Sequence, residues 1–436
     1  MTRAEDPQHV NPHYLDHVVT TSKTHAVEAS EDIVTGSGIK LLAKGARIDA
    51  GTRERLLQHK LSKPLEDCVQ VVGGVIPARF EPVAQALLEK HPLLRALCAS
   101  QHSRPVPASL ASLSLTLPMQ SLLTVYSEFK QDRLKHSVGV AMLALALARK
   151  LLPGEIERQR LLCTAGLVHD VGELYIDPSY LDTSTRLDAQ KWRHIVSHPV
   201  VGHRVLLHMV GAGPVVANAV LQHHERLDGF GYPRSISDDE FTLDGQILAV
   251  CEWLMALVES GSAPLARASM AARLIPGEFG PALLEAVSSA SVDAPDVEVP
   301  LGSGASLEQA VPRIARLAGT LRRFAESRDW LAERTAQAGP ELRKVMDIGL
   351  QRTLRIQASF SSTGLDAYSP DLLLGELAVL GDAKVHNEIM MLVGEMEWRM
   401  RELERGQRLR ASLLADSDAQ VIYELIARVR PPPETP

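Results

Sequence analysis

The sequence predicts a mainly α-helical protein of more than one domain. Aromatic residues make up only 4% of the chain while leucine and alanine abound, a balance that favours helix over sheet. Apolar residues recur at helical spacing through residues 79–130, 121–260 and 307–429. The 436 residues also exceed what one hydrophobic core usually organises.

Residues 1–28 are polar and read as loosely ordered at the start. From Glu31 to Val72 short apolar runs are punctuated by glycine, with a hairpin turn at Thr35–Gly38 and one helix in TRERLLQHKL. A small α/β, β-rich module is therefore expected over 1–78. Residues 79–120 read as a helical linker with a Ser/Pro-rich joint at 103–118. Residues 121–265 form a succession of helices that holds all the chemical motifs. Residues 266–306 carry several prolines and a GSGAS stretch, and read as a helix bounded by linkers. Residues 307–430 form a C-terminal helical domain, broken at SSTG (361–364) and Gly381-Asp382. Its segment EIMMLVGEMEWRMRELERGQRLRASLL is amphipathic, suited to packing in its own bundle or to forming a homodimer. The proline-rich tail RPPPETP reads as disordered.

Bulk properties narrow the function. A net charge of −7 argues against a sequence-independent grip on nucleic acid. The four cysteines lie far apart and form no CxxC pair, as expected of reduced, buried thiols. The N-terminus lacks the apolar core of a signal peptide, and no uncharged apolar run reaches the ~18 residues of a membrane span. These features point to a cytoplasmic protein.

Histidine placement gives the strongest chemical signal. Of 16 histidines, eight fall between His136 and His224, a concentration that a shared metal site explains better than chance. His136 begins an apolar helical run, and Asp132 one turn earlier shares its face. His169-Asp170 follows LLCTAGLV; His198 precedes Pro199; His223-His224-Glu225 ends VVANAVLQ; and Glu252 sits in the apolar ILAVCEWLMAL. Imidazoles and carboxylates without thiolate suit two divalent transition metal ions, iron or manganese better than zinc. An aspartate flanked by histidines can bridge two such ions, polarising a phosphoryl group and activating water for in-line attack. His194, His203 and His208 fit no such pattern.

Taken in order, His136-Ser137, His169-Asp170-Val171-Gly172, His198-Pro199 with Gly202, His223-His224-Glu225-Arg226 and Asp228-Gly229-Phe230-Gly231-Tyr232-Pro233 resemble the HD-GYP family of cyclic di-GMP phosphodiesterases. The resemblance covers about 140 residues. It implies roughly seven packed helices and metal ligation by His136, His169, Asp170, His198, His223 and His224, with Asp170 as the bridge and His169-Asp170 at the catalytic centre. Glu252 aligns with the last ligand, usually an aspartate. Asp132 stands where some members carry a carboxylate for a third metal. Asp228, Gly231, Tyr232 and Pro233 would contribute to binding cyclic di-GMP and to recognising a signalling-protein partner. The segment EDIVTGSGIKLLAKGARI is similar to a small module that often precedes such domains.

Two further positions depart from the family pattern. Glu173 stands where the family usually has lysine, and Met255 begins a segment that usually holds a further aspartate. An anion at 173 facing a substrate phosphate ~6 Å away would reverse an interaction of about 3 kcal/mol, a swing of up to ~5 kcal/mol. Alternatively Glu173, three residues from Asp170, would itself ligate metal. Two functions remain open on these residues: a metal-dependent phosphodiesterase acting on cyclic di-GMP in bacterial signalling, or a catalytically weak sensor or protein-interaction domain of the same type.

Overall fold

The computed structural model describes residues 9–99, 104–130, 132–182, 188–260, 264–274, 277–293, 307–365, 372 and 383–430. Pro295, Pro300, the GSGAS stretch, Gly381-Asp382, the tail beyond Arg430 and the first eight residues lie outside them. Among the described residues the fold is mainly helical, with short strands only near the N-terminus. It divides into two compact units.

The first unit comprises Met1–Glu225, Tyr232–Arg234 and Asp239–Glu259. It opens with helix α1 (Pro12–Thr21), where a loose segment was expected. The Asn11 side chain accepts from the backbone N–H groups of His13 and Tyr14, and Pro12 occupies the first turn. Tyr14, Leu15 and Val18 are buried, and Tyr14 stacks on Tyr175 at 4.9 Å. The polar composition hid a helix whose few apolar residues share one face.

The expected β-rich module is present in reduced form. Strand β1 (Val27–Ala29) is followed by β2 (Ile33–Val34) and β3 (Lys40–Leu42), which pair antiparallel across the expected turn. After the short helix α2 (Arg53–Leu57), β4 (Val69–Val71) pairs antiparallel with β1. Helices α3 (Phe80–Lys90), α4 (Pro92–Cys98), α5 (Val106–Ala111) and α6 (Leu117–Phe129) then lead to the centre of the unit.

Helix α7 (Arg133–Leu151) is that centre. From His136 to Ala148 only Ala146 escapes full burial, as its all-round apolar sequence requires. Helix α8 (Ile156–Val168) lies against it through Gly166, where a Cβ would come within 2.6 Å of the Ala141 backbone. That approach brings the end of α8, and so His169, beside His136. A 3-10 turn (Val171–Tyr175) follows, then α9 (Ala189–Ile195), α10 (His198–Leu207), α11 (Gly213–Gln222) and α12 (Leu243–Glu259). Gly172 is the second tight junction: a Cβ there would lie 2.1 Å from the His198 carbonyl oxygen. Among the described residues no helix is long and apolar enough to cross a membrane.

The second unit comprises Arg226–Gly231, Ser235–Asp238 and Ser260–Pro436. Where one helix was expected between 261 and 306, there are two, α13 (Pro264–Leu274) and α14 (Pro281–Asp293). Gly277, at φ +101°, turns the chain between them and Pro281 starts the second. Helices α15 (Leu307–Glu326), α16 (Arg328–Gln337), α17 (Pro340–Ser362), α18 (Ala383–Ala411) and α19 (Asp416–Val429) complete it. Helix α17 ends at the SSTG break, with Gly364 at φ +73°. The α18 stripe packs within its own bundle, where Val393, Met396 and Leu403 meet Ile356 and Phe360.

The same unit encloses a charged network. Arg352, almost fully buried, pairs with Asp228 at 2.8 Å and Glu278 at 2.6 Å. Arg399 pairs with Glu278 at 3.3 Å and Glu395 at 2.5 Å. Phe230 lies between the guanidinium groups of Arg352 and Arg410, 4.1 Å and 4.4 Å from its ring centre. Arg410 also donates to the carbonyls of Phe230 and Gly231.

Two stability effects follow. Gly172→Ala forces a Cβ against backbone, an overpacking cost of about 1–3 kcal/mol; the thermal midpoint should fall by about 2–4 °C per kcal/mol, measurable by calorimetry. In the N-terminal module, burial drives the Glu66 carboxyl up to about 7, from an ordinary value of 4.5. The folded form therefore prefers the protonated acid, and stability drawn from this group falls as pH rises through that interval. Urea unfolding of Glu66→Gln should match the parent at pH 4 and exceed it increasingly up to about pH 7, with a constant gap above.

Candidate metal centre

The centre is built where helices end. His169 follows the last residue of α8, and its Nδ1–H donates to the Gly166 carbonyl at 2.9 Å. His223 follows α11, with Nδ1 2.6 Å from the Val220 carbonyl. His198 comes three residues after α9 ends, with Nδ1 2.7 Å from the Ile195 carbonyl. Each imidazole thus satisfies a carbonyl from a helix's last turn, one of those that has no intrahelical donor. A carbonyl can only accept, so Nδ1 carries the proton and Nε2 points inward as a lone pair in the neutral ring.

His136 reaches the same state by another route. Its Nδ1 is 2.7 Å from a Glu259 carboxylate oxygen, and its Nε2 faces His169 Nε2 and Glu252 Oε2, each at 3.1 Å. His198 Nε2 and His223 Nε2 are likewise 3.1 Å apart. Two neutral acceptors at that distance repel unless a proton or a cation lies between them. The inward lone pairs therefore fit divalent metal ions, and the absence of thiolate suits hard or borderline ones.

Asp170 links the two pairs. Its Oδ1 is 3.3 Å from His198 Nε2 and 3.4 Å from His223 Nε2; its Oδ2 is 3.3 Å from His169 Nε2 and 3.8 Å from His136 Nε2. Two groups able to hold a divalent cation result, Asp170 with His198, His223 and His224, and His136 with His169 and Glu252. Burial opposes charge on His169, yet Asp170 and Glu252 beside it carry its pKa up to about 9. Burial would raise Glu252, but His136 and His169 hold it well below the usual carboxylate range. His224 is pushed well below the usual imidazole range, by burial first and then by His223 and His198.

All seven metal-site residues expected from sequence are thus brought together. The other expected site residues divide. The Tyr232 ring stacks on His224 at 4.6 Å and meets Trp192 edge-on at 5.1 Å, and its N–H donates to the His224 carbonyl. Tyr232 and Pro233, joined by a cis peptide, belong to the first unit. Asp228 and Gly231 belong to the second, where Asp228 is paired with Arg352. Glu225, fully buried, accepts from the Arg234 N–H at 2.7 Å and so ties down the loop beyond Pro233. Asp132, in a left-handed conformation at φ 68°, turns to Lys135 at 2.6 Å with both side chains exposed. Met255 lies in the core beside Gly139.

Glu173 falls in neither metal group. It is buried, 2.8 Å from Arg133 Nη2 and 3.2 Å from the Tyr126 hydroxyl, which donates to it. Arg133, Tyr126 and Glu259 are absent from the sequence-derived site. Glu259 could have been found, since it lies seven residues beyond Glu252 and thus on the same helix face. Arg133 lies one turn before His136, which is a weaker signal.

Comparison with known proteins agrees with this geometry. The HD domain model matches residues 115–275. A 3'3'-cGAMP-specific phosphodiesterase of Vibrio cholerae is 26% identical over 209 residues, 46% of this chain and 45% of its own. A cyclic di-GMP phosphodiesterase of Pseudomonas aeruginosa is 36% identical over 118 residues, 27% of this chain and 28% of its own. A second 3'3'-cGAMP-specific enzyme of Vibrio cholerae is 32% identical over 148 residues, 34% of this chain and 33% of its own. The chain thus matches less than half the length of each of these relatives. The matched segment and the converging side chains together identify residues 115–275 as an HD domain.

Proposed function

We propose that the chain is a metal-dependent phosphodiesterase that hydrolyses a cyclic dinucleotide, cyclic di-GMP first, in a bacterial second-messenger system. One observation carries the reading: a single carboxylate, Asp170, turns one oxygen to each of two imidazole pairs. Two divalent ions, iron or manganese, would be held by Asp170 with His198, His223 and His224, and by His136, His169 and Glu252. Such ions polarise a phosphoryl oxygen and make water a stronger nucleophile. The protein's own part is to hold the ligands. The backbone carbonyls at Gly166, Ile195 and Val220 fix three rings, and Glu259 fixes the fourth. Tyr232, backed by His224 and edged by Trp192, offers an aromatic face for a nucleobase.

The relatives' names support the substrate class, since they include enzymes for cyclic di-GMP and for 3'3'-cGAMP. The sensor reading rested on Glu173 and Met255, and the pairing of Glu173 with Arg133 and Tyr126 speaks against the first of these two grounds.

Purified protein should carry about two equivalents of a first-row transition metal and convert cyclic di-GMP to linear product. Asp170→Ala should lose most of both ions, since one side chain serves both groups, and cut turnover at least ~1,000-fold, roughly 4 kcal/mol of barrier. Full metal content and an undiminished rate in that variant would sink the reading. Glu259→Gln keeps the packing but exchanges the carboxylate at His136 Nδ1 for a neutral amide; metal affinity should fall ~10–100-fold, measured by chelator competition.

A further inference from the structure

Arg133 projects from the first turn of α7, one turn ahead of His136. Its guanidinium has donors to spare. Nη2 is committed to Glu173 at 2.8 Å, but Nη1 is 3.6 Å from Asp170 Oδ2, beyond hydrogen-bond reach, and the buried Nε has no partner. The side chain nevertheless keeps 18% of its surface open. Buried donors in native proteins are rarely left unsatisfied. Here an orphaned N–H and an under-used one lie on a permanently charged fork beside the aspartate that joins the two metal groups.

Charge balance points the same way. Asp170, Glu173, Glu252 and Glu259 bring four carboxylates to the centre, enough to neutralise two divalent ions. Without Arg133 such a site would be neutral towards an anionic phosphodiester. With it, one positive charge remains, matching the single negative charge of one phosphodiester group. Tyr126 and Glu173 hold the fork from one side: Tyr126 donates to Glu173, its ring centre is 5.7 Å from the guanidinium carbon, and Glu173 pairs with Nη2. The planar guanidinium suits two oxygens of one phosphoryl group, which a lysine ammonium would meet only as a point charge.

We propose that Arg133 is the substrate-facing cation of the centre, donating from its under-used Nη1 to a non-bridging phosphoryl oxygen of the phosphodiester. Glu173 and Tyr126 are positioning residues that aim it. The assignment rests on the phosphodiesterase reading for its choice of substrate, but phosphate recognition can be read independently of turnover.

The test measures affinity for inorganic phosphate by calorimetry and KM for cyclic di-GMP, on full-length protein with metal content verified. Arg133→Met alone would strand Glu173 as a buried, unpaired carboxylate and could unfold the site. The decisive variant is therefore Arg133→Met combined with Glu173→Gln, compared with Glu173→Gln alone. Glu173→Gln should bind phosphate at least as tightly as the parent, because the amide oxygen still accepts from Arg133 while the competing negative charge is gone. The double variant should bind phosphate at least ~10-fold more weakly than Glu173→Gln at equal metal content, and its KM should rise more than its kcat falls. Equal phosphate affinity in the two variants would overturn the role of Arg133. A parent protein that binds phosphate but leaves every cyclic dinucleotide intact would instead overturn the proposed function, with the phosphate comparison still deciding Arg133.

Discussion

The two oxygens of Asp170 face different imidazole pairs, Oδ1 towards His198 and His223 and Oδ2 towards His169 and His136. One carboxylate can serve both only if four helices deliver their histidines to within about an ångström of the right place. The first unit is arranged around that demand. Gly166 lets α8 approach α7 closely enough to set His169 beside His136, and Gly172 lets the turn after Asp170 lie directly on His198. A side chain at Gly166 would push His169 away from His136, and one at Gly172 would push the turn after Asp170 away from His198. The low dielectric of the buried site then amplifies every charge within it.

The histidines also show how an unsatisfied feature of helices becomes a device for fixing imidazoles. The last carbonyls of any helix lack donors. At the ends of α8, α9 and α11 an imidazole supplies one, and in doing so fixes its tautomer and its ring plane. Three imidazoles are thereby oriented by main-chain carbonyls. His136 lies on the first turns of α7, away from any such carbonyl, and depends on Glu259 instead. Its orientation is the one most open to change by mutation.

Much of this was legible in the residues. The convergence of the histidines and carboxylates was readable because they are chemically distinctive and follow apolar helical runs whose ends place them. Helix α18 and the hairpin between β2 and β3 could be read because periodicity and turn residues agreed. What escaped were features that depend on partners distant in sequence. Glu173 looked like a bare anion because Arg133, forty residues away, carries no motif that announces the pairing. Asp228 looked like a substrate group, although its cation comes from α17. Helix α1 was hidden because three buried apolar residues on one face suffice once Asn11 caps it. The second helix between 261 and 306 was missed because prolines there were read as breaks, whereas Pro264 and Pro281 stand at helix starts.

The placement of Arg226–Gly231 in the second unit has a consequence for how the protein is made. Asp228 leaves the ribosome 124 residues ahead of Arg352, and Phe230 emerges 180 residues ahead of Arg410. Domains made in vectorial order usually finish their own folding as they emerge. Here the nascent histidine cluster can gather early, but the loop leading into Tyr232 must wait for the C-terminal helices before its charge is neutralised and its carbonyls are met. Fastening of the loop thus waits for α17 and α18, and a polypeptide stalled before them would leave it without its cations.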